Sequence, residues 1–223
     1  MKTLTHRSQR TDTIFLEYMP IEKKVNDTFF SRIVPEMKND KFFFQREDDL
    51  RLDRIGVDAV MAYKSKIDYV DLKHHRFKFI QEMHPQYAFE LETGWRDSDE
   101  TERHDGWFVH RSKVTGVYGF LFWDGTPDRI EHMRVCLIRK QDIIQRLKSF
   151  GIDIEHWHER TKVQPKLYNG NYYWFIYENI RIAQSLSLPE KPVNLVIPWQ
   201  YLEDIVIYDK LFCLSDSRVQ VAV

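Results

Sequence analysis

The chain has few cysteines and little net charge, and each shortage excludes a class of protein. Its 223 residues include only two cysteines, Cys136 and Cys213, which are isolated and share no metal-ligand spacing. Isolated cysteines predict a reducing compartment and no disulfide framework. Lys and Arg total 33 against 34 Asp and Glu, a net charge of −1. This balance argues against a non-specific nucleic-acid binder but leaves room for an enzyme with a local basic groove.

Long hydrophobic runs are also missing. No stretch approaches the 18 or so apolar residues of a membrane span, and the N-terminal residues lack the apolar segment of a signal peptide. We therefore expect a cytoplasmic protein without a membrane partner, and the nucleus or a virus-encoded origin stays open. Hydrophobic residues make up 43% of the chain and charged residues 30%, which is typical of a folded protein rather than a disordered one.

One stretch, residues 54–73, has the pattern of a β-hairpin. The apolar run Val57–Tyr63 has the length of a buried strand, and Lys64-Ser65-Lys66 is polar and short enough to form the turn. The return strand alternates, so Asp71 and Lys73 share one face. Asp58 begins the partner strand. We therefore expect two carboxylates and a lysine to meet at one edge of a sheet.

This arrangement suits phosphoryl chemistry. Carboxylates on adjacent strands can hold Mg²⁺, which prefers oxygen ligands and retains several waters. The metal lowers the pKa of a bound water and stabilises charge on a phosphoryl group, and a nearby lysine can orient that water. The alternative interpretation is a surface hairpin in which Asp71 and Lys73 form an exposed ion pair that contributes little to stability.

The hairpin resembles the active site of the PD-(D/E)xK, or restriction-endonuclease-like, nuclease superfamily. The family pattern is an aspartate at a bend, a strand, and then acid-x-lysine on the next strand; here these are Asp58 and Asp71-Leu72-Lys73. The resemblance covers about residues 21–125. It implies that Asp58, Asp71 and the Leu72 carbonyl bind Mg²⁺, with Mn²⁺ as a substitute, and that Lys73 helps to activate the attacking water.

Further candidate residues surround this motif. Ile21, Val25 and Phe29 recur at helical spacing and predict a helix over 21–34, which places Glu22 as a candidate additional acid because family members often supply one from such a helix. Glu90 is a second candidate, on an alternating strand over 87–93 that we expect to neighbour the hairpin. The residues predicted to contact nucleic-acid phosphates are His74, His75, Arg76 and Lys78. An exposed and merely solvated strand end is the alternative for this basic group.

An aromatic arm, Tyr172–Tyr177, follows the strong Asn169-Gly170 turn signal. If exposed, it is able to stack on unpaired bases; if buried, it is core, and the buried interpretation is favoured from sequence.

The predicted fold class is α/β or α+β, with a mixed central sheet flanked by helices and a restriction-endonuclease-like core. Residues 14–125 would form this core, and residues 126–223 a C-terminal extension with a hairpin and helices, either separate or part of one compact domain. The predicted function is a metal-dependent endonuclease that hydrolyses DNA, with RNA as an open alternative and homodimerisation implied by the resemblance. The competing hypotheses are a non-catalytic nucleic-acid- or protein-binding module that retains the scaffold, and an unrelated mixed protein whose hairpin mimics the motif.

Overall fold

The computed structural model describes residues 20–49, 51–52, 55–77, 86–95, 102–188, 191–215 and 218–222. They form a mixed α+β protein with two β-sheets and few helices. The chain divides into two compact units. One contains the described residues of 14–83, 114–141 and 205–223, and the other those of 84–113 and 142–204.

The first unit is built on a seven-stranded mixed sheet with the order β1-β2-β3-β6-β7-β12-β13. The strands are β1 (Phe43–Arg46), β2 (Ala59–Tyr63), β3 (Lys66–Arg76), β6 (Val117–Thr126), β7 (Arg129–Arg139), β12 (Val206–Ser215) and β13 (Arg218–Val221). Neighbouring strands are antiparallel except β3 and β6, which run parallel. The hairpin strand β3 therefore lies inside the sheet, between β2 and β6.

A helical segment at 20–40, α1, covers one face of this sheet. It is α-helical over 20–28, π-helical over Phe29–Ile33, α-helical again over Val34–Met37 and ends in a 3₁₀ turn at Lys38–Asp40. Val25, Phe29 and Ile33 are fully buried and pack in one core cluster with Val70 and Leu72 of β3. The predicted helix is confirmed, but it continues past Pro35.

Proline does not end the helix because it stands at the start of the second α-helical stretch. Pro35 lies just after the π-helical stretch, and its missing N–H removes one internal hydrogen bond without ending the segment.

The second unit contains a six-stranded antiparallel sheet with the order β5-β4-β11-β10-β9-β8. Its strands are β4 (Gln86–Trp95), β5 (Glu102–Asp105), β8 (Lys166–Tyr168), β9 (Asn171–Tyr177), β10 (Ile180–Ser185) and β11 (Val193–Pro198). Helix α2 (Lys140–Ser149) precedes short helical turns at Ile154–His156 and Trp157–Arg160. The Asn169-Gly170 turn joins β8 to β9, as the sequence predicts.

These observations correct part of the expected architecture. A mixed sheet is present, but the described chain also has a separate second sheet and only two helical segments longer than a turn or two, so the description of a sheet flanked by helices fits loosely. The predicted division between residues 125 and 126 falls inside β6. This division stays a prediction. Among the described residues, no helix combines the length and the apolar character needed to cross a bilayer.

Candidate active site

The hairpin β2–β3 places the two predicted aspartates opposite each other on neighbouring strands. Its turn consists of Lys64 and Ser65, which have φ values of 47° and 62°, as a two-residue hairpin turn of the primed type requires. Strand pairing matches Ala59 with Val70. The next position along the same register places Asp58 opposite Asp71.

Asp58 is fixed at the end of β2 by backbone and side-chain hydrogen bonds. Its N–H donates to the Val70 carbonyl at 2.8 Å, and its Oδ2 accepts from the Leu72 N–H at 2.6 Å. The bend before it uses Gly56 with φ 79°, and the buried Thr115 hydroxyl donates to the Gly56 carbonyl at 2.8 Å. The carboxylate is thus held against the backbone of β3 rather than left to swing in solvent.

The Leu72 backbone lies at the same edge. The N–H and C=O of one strand residue point to the same side of the strand, so the Leu72 carbonyl faces the side on which its N–H meets Asp58. The regular β2–β3 hydrogen bonding does not continue to this position, because the Val57 N–H donates to the Leu52 carbonyl at 3.0 Å and not to β3. The Leu72 side chain is 4% exposed and packs in the core beneath α1. The predicted carbonyl ligand is therefore next to Asp58.

Asp71 and Lys73 form an ion pair in which the carboxylate is buried and the lysine is partly exposed. Lys73 Nζ lies 2.8 Å from Asp71 Oδ1, and Asp71 is only 4% exposed. An exposed surface pair, the alternative considered from sequence, is therefore wrong. Asp71 Oδ2 is buried and has no hydrogen-bond partner among the described residues. A buried carboxylate oxygen without a partner costs free energy, and a cation supplied from outside would satisfy it.

Two residues that the sequence did not single out adjoin Asp71. Tyr118 of β6 pairs directly with Asp71 across the parallel ladder. Burial and the negative charge of Asp71 raise the pKa of the Tyr118 phenol, which stays protonated. Burial lowers the pKa of Lys140, the first residue of α2 and still part of the first unit, while the charge of Asp71 opposes that shift. No sequence signal reveals these neighbours, because they depend on which strand lies beside β3.

The two histidines of the predicted phosphate-binding group are not cationic near neutral pH. Burial and the positive charge of Lys73 lower the pKa of His74 to about 3 and that of His75 to about 4. The His74 ring forms a 2.8 Å hydrogen bond between Nε2 and Asn26 Oδ1 of α1. His75 stacks on Phe122, with ring centroids 5.5 Å apart. Both therefore act as packed, neutral side chains in this structure.

Arg76 is the remaining described member of that group. Its side chain is exposed, lies 5.4 Å from the ring centroid of Trp123 and donates to the Gly125 carbonyl at 2.6 Å. Arg76 thus keeps a positive charge at the exit of β3. Lys78 lies outside the described residues.

The two additional acids occupy different places. Glu22 is exposed on α1, one helical turn before Asn26, the residue that contacts His74. Glu90 lies on β4, which pairs with β5 and β11 in the second sheet. The expectation that its strand would neighbour the hairpin is wrong, because β4 pairs with β11, a strand about a hundred residues later in the chain.

The site thus has oxygen atoms that could bind a metal and a lysine beside them, but few protein ligands. Within the described ranges, no group of three His, Cys, Asp or Glu side chains gathers closely enough to hold a metal by itself. Mg²⁺ does not demand such a cage, since it is commonly bound by one or two carboxylates together with waters and substrate oxygens. Asp58, Asp71 and the Leu72 carbonyl fit that requirement.

Comparison with known proteins gives no further assignment. No family model, no curated protein and no solved structure matches the chain.

Proposed function

We propose that the protein is a Mg²⁺-dependent nuclease that hydrolyses phosphodiester bonds of DNA at the β2–β3 hairpin. One observation carries the proposal: the buried Asp71 carboxylate pairs with Lys73 through Oδ1 and leaves Oδ2 without a partner among the described residues, opposite Asp58. A carboxylate buried for structural reasons alone would be expected to have both oxygens satisfied.

Each residue has a distinct role in this proposal. Asp58 and Asp71 bind Mg²⁺ together with the Leu72 carbonyl, and Mn²⁺ is able to replace it. The bound metal supplies Lewis-acid stabilisation of the phosphoryl oxygens and a water of lowered pKa. Lys73 holds the attacking water in line and offsets negative charge as it develops on the phosphate. Its side chain is 24% exposed, so it reaches solvent while its ammonium stays on Asp71.

Substrate contacts come from the exit of β3. Arg76 is charged and exposed, and together with Lys78 it would position a phosphate backbone without reading its sequence. The neutral His74 and His75 do not add charge to this contact. Glu22 is proposed as a supporting acid because its helix approaches β3 at Asn26; Glu90 has no such link through strand pairing. A homodimer, with one site for each strand of a duplex, remains part of the proposal.

Metal binding tests the site independently of any substrate. We expect Mn²⁺ or Mg²⁺ to bind the wild type in isothermal titration calorimetry, and Asp71→Asn or Asp58→Asn to abolish that binding. Asp105→Asn is the control, since it makes the same exchange at an exposed position of β5 in the other unit.

Cleavage tests the chemistry. A panel of supercoiled, linear, single-stranded and branched DNA, together with RNA, would be incubated with Mg²⁺ or Mn²⁺ beside Lys73→Ala and Asp71→Asn proteins. We expect metal-dependent cutting that both variants lose. Equal cutting by the variants would assign the activity to another site or to a contaminant. Failure to bind metal or to cut any substrate would instead favour the non-catalytic binding module.

A further inference from the structure

Aromatic and basic side chains share one face of the second sheet near its β8 edge. The pairings Lys166↔Tyr173 and Arg181↔Phe175 place these four side chains on the same face of β8, β9 and β10. The opposite face of β10 is core, since Ile182 is fully buried. An antiparallel sheet commonly has one packed face and one that faces water.

The aromatic–basic face is the shallow depression of about 480 Å³ on this side of the sheet, lined by Lys166, Leu167, Tyr168, Tyr173, Phe175 and Arg181. Two of its aromatic members are strongly exposed: Tyr168 by 66% and Phe175 by 52%. The interpretation favoured from sequence, that the aromatic arm is core, is therefore wrong for this face. A cluster of exposed apolar side chains on one patch commonly marks a binding surface.

Positive charge is interleaved with these rings. Lys166 Nζ lies 5.4 Å from the ring centroid of Phe175, and Arg181 Cζ lies 5.6 Å from that of Tyr173. Both distances are within the range of cation–π attraction, so each ring holds a cation beside it. None of the six lining residues is acidic. The face thus combines aromatic surfaces with charge that complements a polyanion.

We propose that the aromatic–basic face binds single-stranded nucleic acid. Unpaired bases would stack on Phe175, Tyr173 and the planar guanidinium of Arg181, while Lys166 and Arg181 contact phosphates. Recognition is tolerant of sequence, because stacking uses the ring face that every base possesses. A proline-rich peptide would use the rings but would gain nothing from the two cations, whereas a nucleic acid uses both.

The rings favour single strands over duplexes. In a duplex both faces of each base are covered by its stacked neighbours, so no base face is available to Tyr173 or Phe175. The bases of a single strand can be splayed apart and stack on aromatic side chains.

Fluorescence anisotropy with short labelled oligonucleotides tests this inference. The measurement is made in EDTA, so that it depends neither on metal nor on cleavage, and compares single-stranded DNA, single-stranded RNA and duplex DNA. We expect single strands to bind at least about tenfold more tightly than duplex. The DNA and RNA arms decide which single strand is preferred.

Variants at Phe175 separate stacking from general apolar contact. Phe175→Leu keeps an apolar side chain but removes the ring, and we expect it to weaken binding about fivefold or more; Phe175→Tyr should bind like the wild type. Phe43→Leu is the matched control, because Phe43 is 53% exposed on β1 of the other unit. Arg181→Gln should weaken binding and reduce its salt dependence by roughly 0.7 in log–log slope.

Equal affinity for single strands and duplex, or wild-type binding by Phe175→Leu, would overturn the proposal. Asp71→Asn should bind single strands like the wild type while cleavage is lost. Failure of the nuclease proposal and failure of this one therefore give different results.

Discussion

His75 offers a quantitative test of how the central hairpin is packed. Its ring is stacked on Phe120 and Phe122, with centroid distances of 6.2 and 5.5 Å and interplanar angles of 19° and 23°. Burial and the nearby Lys73 charge lower its pKa from 6.5 to about 4. The folded protein therefore keeps this ring neutral at mildly acidic pH, while the unfolded chain takes up a proton below about pH 6.5.

The magnitude follows from proton linkage. A pKa that is lower in the folded state removes stability as the pH falls from the unfolded value towards the folded one. Each pH unit in that window corresponds to about 1.4 kcal/mol, so at pH 5 this single group lowers the free energy of unfolding by about 2 kcal/mol. At pH 7 the contribution is close to zero.

His75→Phe removes the titration and keeps an aromatic ring against Phe120 and Phe122. We expect the free energy of unfolding of this variant to fall by about 2 kcal/mol less than that of the wild type between pH 7 and pH 5. Urea unfolding followed by tryptophan fluorescence at several pH values measures this difference. His104→Phe, the same exchange at an exposed position of β5, controls for the added apolar surface. Parallel stability curves for wild type and His75→Phe would refute the reasoning.

Three further substitutions test local features of the two sheets. Ser65 has φ 62° in the β2–β3 turn, so Ser65→Gly should raise the free energy of unfolding by about 1 kcal/mol in urea titrations; a loss would contradict the primed turn. A Cβ on Gly106 would lie 2.4 Å from the Glu90 carbonyl oxygen. Gly106→Ala should therefore lower the free energy of unfolding by about 2 kcal/mol or more, and with it the melting temperature. An unchanged melting temperature would show that the backbone shifts to accommodate the methyl group at little cost. Arg134 donates two parallel hydrogen bonds to the Asp209 carboxylate, at 2.7 and 2.6 Å. Arg134→Lys keeps the positive charge but cannot donate both, so its free energy of unfolding should fall by about 1 kcal/mol in calorimetry. Wild-type stability of this variant would mean that the charge alone accounts for the contribution of Arg134.

The elements with strong local periodicity were predictable from sequence. Val25, Phe29 and Ile33 predicted the N-terminal helix because their spacing matches one helical face. The hairpin around Lys64-Ser65 was predicted for a similar reason, since an apolar run, a polar turn and an alternating strand are all contiguous. The opposition of Asp58 and Asp71 follows directly from the hairpin register.

Features set by distant pairing were not predictable. The sequence of Tyr87–Thr93 shows a strand but not its partner, and β4 pairs with β11 rather than with the hairpin. For the same reason Tyr118 and Lys140 were missed beside Asp71, because the parallel pairing of β3 with β6 joins segments about fifty residues apart. The exposure of Phe175 was also misjudged, since an aromatic run has the same composition whether its sheet face is covered or not.

The histidines show how burial changes the chemistry that a motif suggests. His74 and His75 follow a lysine and precede an arginine, so the sequence indicates a basic cluster. In the fold they are enclosed next to Lys73, and both the loss of hydration and the neighbouring charge favour their neutral forms. A count of basic residues therefore overstates the positive charge at this end of β3.

The alternation of the chain between its two units has a consequence for proteolysis. Within the described residues the backbone changes unit four times: between residues 77 and 86, 113 and 114, 141 and 142, and 204 and 205. A single protease cut at any one of these junctions would leave three covalent tethers intact. A nicked molecule should therefore migrate as two fragments on a denaturing gel yet stay one particle in solution, and neither unit is obtainable by trimming the chain from its ends.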